Sequence, residues 1–288
     1  MVKKSYIIGG PTASGKSGFA HLLAKKIGGT IINADSVQAY RGIENMSASP
    51  FAGKDPATEE IDGVPYKLFS IFDLENQISV AQYMARAKEE YEKADIPIFV
   101  GGSGYYIEAM IYGLSPIPDI SFEARERARR MITETPGAAR NLVDFEFRDP
   151  HRMARALEVF LQTGRPLSDY KNLPRTGGIG LTPKRILIMP PNDLLEDKIK
   201  DRLPEMLAGG ALEEARKYID KPFRAIGIDE LGKFIRGELT EEEAIENWAR
   251  RTIQYAKHQR TWFRNKYEPQ LTIMHFPTEQ DLSDVLAL

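Results

Sequence analysis

The chain has 288 residues, which is enough for one sizeable domain or for a domain that carries an insertion. It contains no cysteine, and this excludes disulfides, thiolate zinc sites and a catalytic thiol. The 39 Lys and Arg residues nearly balance the 41 Asp and Glu residues, so any nucleic-acid partner must meet a local basic surface.

The first predicted elements enclose a phosphate-binding loop. An apolar run at residues 6–8 precedes the loop and apolar residues at helical spacing follow it, as the pattern G-x-x-x-x-G-K-[ST] requires. In such a loop, backbone N–H groups and the lysine bind phosphate oxygens, and the Ser17 hydroxyl can ligate Mg²⁺. We therefore expect a di- or triphosphate to bind here. The loop residues are Gly10, Pro11, Thr12, Ala13, Ser14, Gly15, Lys16 and Ser17.

The next strand is predicted at residues 30–34 and ends at Asp35. Strand, helix and strand at this spacing imply a parallel sheet with right-handed crossovers, and such sheets bind ligands at the carboxyl ends of their strands. We therefore expect Asp35 to lie beside the phosphate-binding loop. It could act as a general base or as an outer ligand of a metal, and a helix-capping or turn aspartate is the alternative.

Residues 45–65 are rich in Pro, Ser, Gly and Asp and are predicted to form a loop. A short strand is predicted at 67–71 and a helix at 80–94, with Ser79 as its N-cap. The next strand is predicted at 96–100.

A second glycine-rich turn, residues 101–104, follows that strand and offers the Ser103 hydroxyl to the same cleft. An ATP-hydrolysing protein usually places Asp or Glu after such a strand to hold Mg²⁺. No acidic residue stands there, which argues against ordinary ATPase chemistry.

Residues 116–182 are predicted to form a helical, arginine-rich insertion between two Pro- and Gly-rich linkers. The expected organisation is a first core segment at 1–115, the insertion, and a second core segment at 183–288.

The best-marked helix of the insertion has Asp149 as its N-cap and Gly164 just past its end. Its apolar face leaves Arg152 and Arg155 side by side on a neighbouring face. Two arginines so placed suit RNA phosphates, and solvated surface arginines are the alternative.

The chain then returns to the sheet with a strand predicted at 185–189, followed by mostly helical sequence. A turn at 223–227 could bring Arg224 back to the phosphates. A capping box at Thr240 and Glu243 opens a long helix toward residue 266. That helix mixes basic and aromatic side chains, a pattern compatible both with RNA contact and with aromatic core packing.

Five segments together resemble the tRNA dimethylallyltransferase (tRNA isopentenyltransferase) family and span nearly the whole chain. They are residues 10–17, 35–41, 97–104, 152–159 and 256–264. The resemblance implies an α/β fold, a P-loop NTPase-like parallel sheet core flanked by helices, with a helical insertion domain. It also implies transfer of a dimethylallyl group from dimethylallyl diphosphate to the exocyclic amine of the adenine 3′ of the anticodon of tRNA, with Mg²⁺.

In that reaction Asp35 would accept the proton of the amine, and Lys16, Ser103, Arg224 and Mg²⁺ would stabilise the leaving diphosphate. The resemblance also implies tRNA contacts in two groups of residues. These are Asp35, Ser36, Val37, Gln38 and Ser103 in the core, and Arg125, His151, Arg152, Met153, Ala154 and Arg155 in the insertion. The chain departs from the family pattern at residues 44–50, where a usual lysine is absent, and at 227–229.

Three other functions stay open from the residues alone. A small-molecule or nucleoside P-loop kinase would use Asp35 to activate a hydroxyl, and a nucleotide-gated RNA-binding protein would need no base. Prenylation of free adenine nucleotides would use the same chemistry without the insertion. No apolar run is long enough to span a membrane, and we expect a cytoplasmic monomer.

Overall fold

The computed structural model describes residues 3–76, 78–143, 150–221 and 225–288, leaving aside the side chains of Arg140, Pro150 and His151. It divides the chain into two compact units. The first combines Met1–Ile111 with Ile179–Leu288, and the second is Tyr112–Gly178. The predicted insertion, 116–182, overlaps the second unit, which begins and ends a few residues earlier.

The first unit is built on a seven-stranded sheet with the strand order β3-β4-β2-β5-β1-β6-β7. Every pairing is parallel except that between β3 and β4. This sheet and its helices confirm the predicted α/β class. The strands are β1 Tyr6–Gly9, β2 Thr30–Asn33, β3 Glu60–Ile61, β4 Val64–Lys67, β5 Pro97–Gly101, β6 Lys184–Ile188 and β7 Leu271–Ile273.

Twelve α-helices lie within the described residues. Those of the first unit are α1 Lys16–Ile27, α2 Val80–Lys93, α3 Gly104–Tyr112, α8 Asn192–Met206, α9 Leu212–Tyr218, α10 Ile228–Ile235, α11 Glu241–Lys266 and α12 Glu279–Ala287. Those of the second are α4 Phe122–Glu134, α5 Pro136–Leu142, α6 Pro150–Thr163 and α7 Leu167–Lys171. None of the helices in the described ranges is long and apolar enough to cross a membrane.

Two large hydrophobic clusters and a smaller one between α8 and α11 stabilise the first unit. One of the large clusters lies between the central strands and α1, where Ile8, Phe19 and Leu23 are almost completely buried. The other joins α9, α10 and α11 around Trp248. Both clusters fix the elements from which the cleft described below is built.

The helix predictions with capping residues are confirmed. The Ser79 hydroxyl accepts a hydrogen bond from the N–H of Gln82 at the start of α2, 3.2 Å. Thr240 and Glu243 form the capping box that opens α11. Gly164, at the end of α6, has φ +69° and is the glycine cap expected there. The predicted N-cap of α6, Asp149, lies outside the described residues.

The strand predicted at 67–71 is wrong, because β4 ends at Lys67. Leu68 and Ser70 have φ of +66° and +51°, in the left-handed region that interrupts a strand. Strand β7 was not predicted; it is three residues long and pairs with β6.

The second unit has a small core of its own. Helices α4, α5 and α6 pack together through Ala128, Ala139 and Leu157, all almost fully buried. The unit therefore has the packing of a compact helical domain.

Candidate active site

The predicted phosphate-binding loop connects β1 to α1. Its backbone reverses through Ala13, φ +63°, and Gly15, φ +84°. A Cβ on Gly10 would lie 2.4 Å from the carbonyl oxygen of Ile188, so only glycine fits there. The Lys16 ammonium donates a hydrogen bond to the carbonyl of Pro11, 3.2 Å away, and is thus held over the loop.

The loop forms one wall of a cleft of about 560 Å³ at the carboxyl ends of the strands. Asp35 lies in the same cleft, in the position expected beside the loop. The lining residues are Thr12, Ala13, Ser14, Gly15, Lys16, Ser17, Gly18, Asp35, Ser36, Val37, Gln38, Met46, Ser47, Ala48, Lys198, Arg202, Met206, Ala225, Ile226, Trp248, Thr252, Tyr255 and Phe276.

Asp35 is half-buried and is held by a turn after β2. Its Oδ1 accepts a hydrogen bond from the N–H of Val37, 3.0 Å. The Asn33 side chain bonds both the N–H and the carbonyl of Asp35, each at 2.8 Å. Asp35 is therefore a turn aspartate that also faces the cleft. Its second carboxylate oxygen, Oδ2, can still accept a proton.

Arg202 on α8 is a cleft residue that sequence reasoning did not single out. Its Nη2 donates a hydrogen bond to the Thr12 hydroxyl, 2.8 Å. Lys198, Arg202 and Met206 recur every four residues and all line the cleft, so this spacing was the available signal. No contiguous sequence motif identifies Arg202 as a cleft residue.

The positive charges of two cleft residues, Lys16 and Arg202, are destabilised by their surroundings. Burial lowers the pKa of Lys16 to about 8, an effect that Asp35 opposes and Arg202 reinforces. Burial likewise lowers the pKa of Arg202 to about 10, and Asp35 opposes this shift. An anionic ligand would relieve both penalties.

Two buried polar atoms in the cleft also lack a protein partner. Arg202 Nε and the Ser14 hydroxyl make no hydrogen bond within the described ranges. Buried donors of this kind usually find a partner, and a phosphate oxygen supplies one. The loop, Lys16 and Arg202 therefore fit a diphosphate.

Ser103 and the residues after Asp35 connect neighbouring loops. Ser103 Oγ accepts a hydrogen bond from Ser36 N–H, 2.9 Å, and donates one to the Ser36 hydroxyl, 3.1 Å. The Gln38 amide donates to the carbonyls of Ser47 and Ala48. Val37 is half-buried in the cleft wall.

The sequence-predicted residues of the second unit lie on α4 and α6. Arg125 and Arg152 are exposed, and Arg155 forms an ion pair with Glu158, 3.2 Å. Met153 is buried in the unit, and Ala154 is half-buried. The side chain of His151 lies outside what the structure describes, as does Arg224 in the first unit.

The aromatic residues of α11 mostly belong to the core. Trp248 is 1% exposed and Phe263 is fully buried, so for these two the packing alternative is correct. Trp262 packs on Gly104. The RNA alternative is left with the exposed basic side chains, such as Arg250, His258 and Arg264.

A divalent cation fits the loop through Ser17, whose half-buried side chain lines the cleft at the first turn of α1. Within the described ranges, no group of three or more His, Asp or Glu side chains could hold a metal ion by itself. Mg²⁺ held by one hydroxyl and by the phosphates of a ligand needs no such group.

Two family models match this chain. The IPP transferase model matches residues 38–266, and the isopentenyl transferase model matches residues 3–62. The tRNA dimethylallyltransferase of Zymomonas mobilis is 38% identical over 279 residues, covering 90% of this chain and 87% of the relative. This chain belongs to the tRNA dimethylallyltransferase family.

Other members show the same extent of similarity. The tRNA dimethylallyltransferase of Acidiphilium cryptum is 36% identical over 277 residues, which cover 90% of this chain and 83% of the relative. The crystal structure of tRNA delta(2)-isopentenylpyrophosphate transferase from Staphylococcus epidermidis superposes with a TM-score of 0.68 at 26% identity. That superposition covers 99% of this chain and 98% of the other. The family similarity thus extends over both compact units.

Proposed function

We propose that this protein transfers a dimethylallyl group from dimethylallyl diphosphate to the N6 amine of the adenosine 3′-adjacent to the anticodon of tRNA, releasing diphosphate. The observation that carries the proposal is a single cleft that joins a cationic phosphate loop, an apolar wall and a carboxylate. Family membership supports the choice of tRNA as acceptor.

The phosphate loop binds the diphosphate of the donor. As the bond between the allylic carbon and oxygen breaks, negative charge grows on the leaving diphosphate, and Lys16 and Arg202 stabilise it. The loop N–H groups add donors that are already oriented. Bound Mg²⁺, held by Ser17 and the phosphates, would neutralise further charge on the leaving group.

The apolar wall accepts the dimethylallyl group. Met46, Met206 and Trp248 line this side of the cleft, together with Ala225 and Ile226. Apolar side chains keep water from an allylic carbon that would otherwise be hydrolysed.

Asp35 takes the proton of the acceptor. When the new bond between N6 and the allylic carbon forms, the amine becomes positively charged and must lose one proton, which the carboxylate accepts. Bond formation, bond cleavage and proton transfer then balance, and diphosphate is the only other product.

The acceptor adenine must leave its stack to enter the cleft. Unpaired bases of an anticodon loop allow this at low energetic cost. The exposed arginines of the second unit, among them Arg125 and Arg152, supply positive charge for the tRNA backbone.

The direct test incubates the protein with labelled dimethylallyl diphosphate, Mg²⁺ and unmodified tRNA, and then analyses the nucleosides. We expect label on adenosine next to the anticodon, without any need for ATP. Label on free adenine nucleotides but not on tRNA would overturn the proposed acceptor. A strict ATP requirement with phosphate transfer to a small molecule would indicate a kinase instead.

A further inference from the structure

A buried glutamine on α11 connects the two glycine-rich loops of the cleft. Gln259 is only 5% exposed. Its Oε1 accepts a hydrogen bond from the N–H of Thr12, 2.8 Å, and its Nε2 donates one to the carbonyl of Gly102, 2.9 Å. One side chain therefore joins the phosphate-binding loop to the loop after β5.

The contact between Gln259 and Gly102 requires a glycine. A Cβ at Gly102 would lie 2.2 Å from Gln259 Nε2, so the amide approaches a backbone that only glycine provides. On the other side, Thr12 is held twice, because its hydroxyl also accepts a hydrogen bond from Arg202. The N–H of Thr12 is thus committed to the protein rather than to a phosphate.

Tyr255 extends the connection from the preceding turn of the same helix. Its phenol lies close enough to the side chains of Gln259 and Ser103 to interact with both, and burial raises the pKa of the phenol well above the ordinary value, so the hydroxyl stays protonated. Ser103 in turn holds the N–H of Ser36, the residue after Asp35. Gln259, the backbone from Gly102 to Ser103 and the Ser103 hydroxyl therefore connect the phosphate loop to the segment that carries the carboxylate.

We infer that Gln259 and Tyr255 are positioning residues that fix the distance between the bound diphosphate and the Asp35 carboxylate. The inference rests on the proposed function, in which diphosphate leaves the allylic carbon while Asp35 accepts a proton from the attacking N6 amine. The two groups lie on separate loops, and among the described residues no hydrogen bond joins residues 10–17 directly to residues 35–38. A misplacement of about 1 Å can lower a rate by about 10²-fold.

The main test replaces Gln259 with methionine, which has a similar shape but cannot form either hydrogen bond. We expect turnover at saturating donor and tRNA to fall by about 10- to 100-fold. The affinity for inorganic pyrophosphate, measured by calorimetry, should change by less than about threefold, because the loop N–H groups, Lys16 and Arg202 remain. Gln254→Met, on an exposed face of α11, is the matched control and should behave as the wild type.

Gln259→Glu gives a second measurement that a simple packing role would not affect. A neutral carboxyl has the same shape as the amide, with one acceptor and one donor, whereas the carboxylate has no donor for the carbonyl of Gly102. The turnover of Gln259→Glu relative to the wild type should therefore rise as the pH falls. A ratio that does not change with pH contradicts the inference.

Tyr255→Phe removes one hydroxyl with no change in shape and covers the case in which Gln259→Met does not fold. It should lower turnover and leave pyrophosphate binding unchanged. Wild-type turnover in folded Gln259→Met or in Tyr255→Phe would overturn the inference alone. Failure of the wild-type protein to transfer a prenyl group would overturn the proposed function, and the inference with it.

Discussion

Lys16 illustrates how a single residue is tuned by its place in the cleft. Its ammonium is half-buried over the phosphate loop, so water that would stabilise the charge is displaced. Arg202 lies close enough to disfavour a second positive charge, while Asp35 favours it. The net result is a lysine with its pKa lowered to about 8, near the physiological range.

This shift predicts a pH dependence of anion binding. Below about pH 8 the free protein carries a charged Lys16, and above it the amine becomes neutral, so we expect the affinity for pyrophosphate to fall as the pH rises through this range. Arg202 keeps its charge to about pH 10, so binding weakens without vanishing. Calorimetry between pH 7 and 9.5 measures the effect. The same titration of Lys16→Met should show a lower affinity with little change over this range, and an unchanged profile in the variant would refute the assignment.

Asp35 provides the second residue-scale prediction. Asp35→Asn keeps the oxygen that accepts the Val37 N–H, so the turn is preserved while the base is lost. Turnover should fall by on the order of 10² to 10⁴, the range for loss of a general base. Asp35→Ala should show a fall of the same order. Pyrophosphate binding should stay close to that of the wild type in both variants. Near-normal turnover in Asp35→Asn would reduce Asp35 to its turn role.

The residues that sequence analysis identified and those that it missed differ in one physical respect. Lys16 and Asp35 belong to the segments that come after β1 and β2, and a contiguous pattern places them at the carboxyl edge of the sheet. Arg202 and Gln259 reach Thr12 across 190 and 247 positions of the chain, and their roles depend on how α8 and α11 pack. Such contacts leave no local pattern other than helical spacing.

At the scale of elements, α9 fixes a loop of the cleft wall. Glu214 accepts hydrogen bonds from the N–H groups of Asn45 and Met46 and from the Asn45 side chain, at 2.8 to 2.9 Å. Burial raises the pKa of this carboxyl, although those hydrogen bonds oppose the shift.

These hydrogen bonds of Glu214 predict a specific loss of stability and function. Glu214→Ala leaves partly buried donors of Asn45 and Met46 without a partner, at a cost of about 1 to 3 kcal/mol. Met46 lines the cleft, so the Michaelis constant for dimethylallyl diphosphate should rise as well. Glu213→Ala, an exposed neighbour on α9, is the control for thermal unfolding and kinetics. Equal effects of the two substitutions would contradict the anchoring role.

The predicted helix starts are confirmed where the sequence contains capping residues. Helices α2 and α11 begin at capping boxes, and these local hydrogen bonds can be anticipated from spacing alone. Strand β4 was misplaced because residues beyond Lys67 are apolar but adopt left-handed backbone at Leu68 and Ser70, which sequence does not reveal. Strand β7 depends on pairing with β6, a contact with a part of the chain more than eighty residues away.

At the scale of the whole molecule, the chain leaves the first unit after Ile111 and returns to it at Ile179. The N–H of Ile179 donates to the carbonyl of Met110, 3.0 Å, within the first unit. Leu114 and Thr176 pair as an antiparallel bridge within the second. A hydrogen bond therefore joins the two segments of the first unit next to the point where the second unit is inserted, and each unit has its own hydrophobic core.

Substitution of Arg152 and Arg155 on α6 tests whether the second unit binds tRNA. Arg155 forms a half-buried ion pair with Glu158. A surface ion pair contributes roughly 0 to 1 kcal/mol, and because Arg155 keeps partial access to water, exchanging Glu158 for a phosphate costs little. Replacing Arg152 and Arg155 with Ala should weaken tRNA binding and flatten its salt dependence by roughly one to two counterions. Pyrophosphate binding should not change, because Lys16 and Arg202 are untouched.

The matched control for the double variant is Arg86→Ala with Lys88→Ala on α2, since Arg86 forms a similar surface pair with Glu89 at three residues' spacing. Affinity for tRNA is measured at several salt concentrations for the wild type and both variants, and thermal unfolding is followed in parallel. The control should reproduce the wild-type slope. If the α6 variant stays folded and also keeps that slope, its arginines do not contact phosphates. Prenylation of free adenine nucleotides, which needs no second unit, then becomes the better account of the cleft.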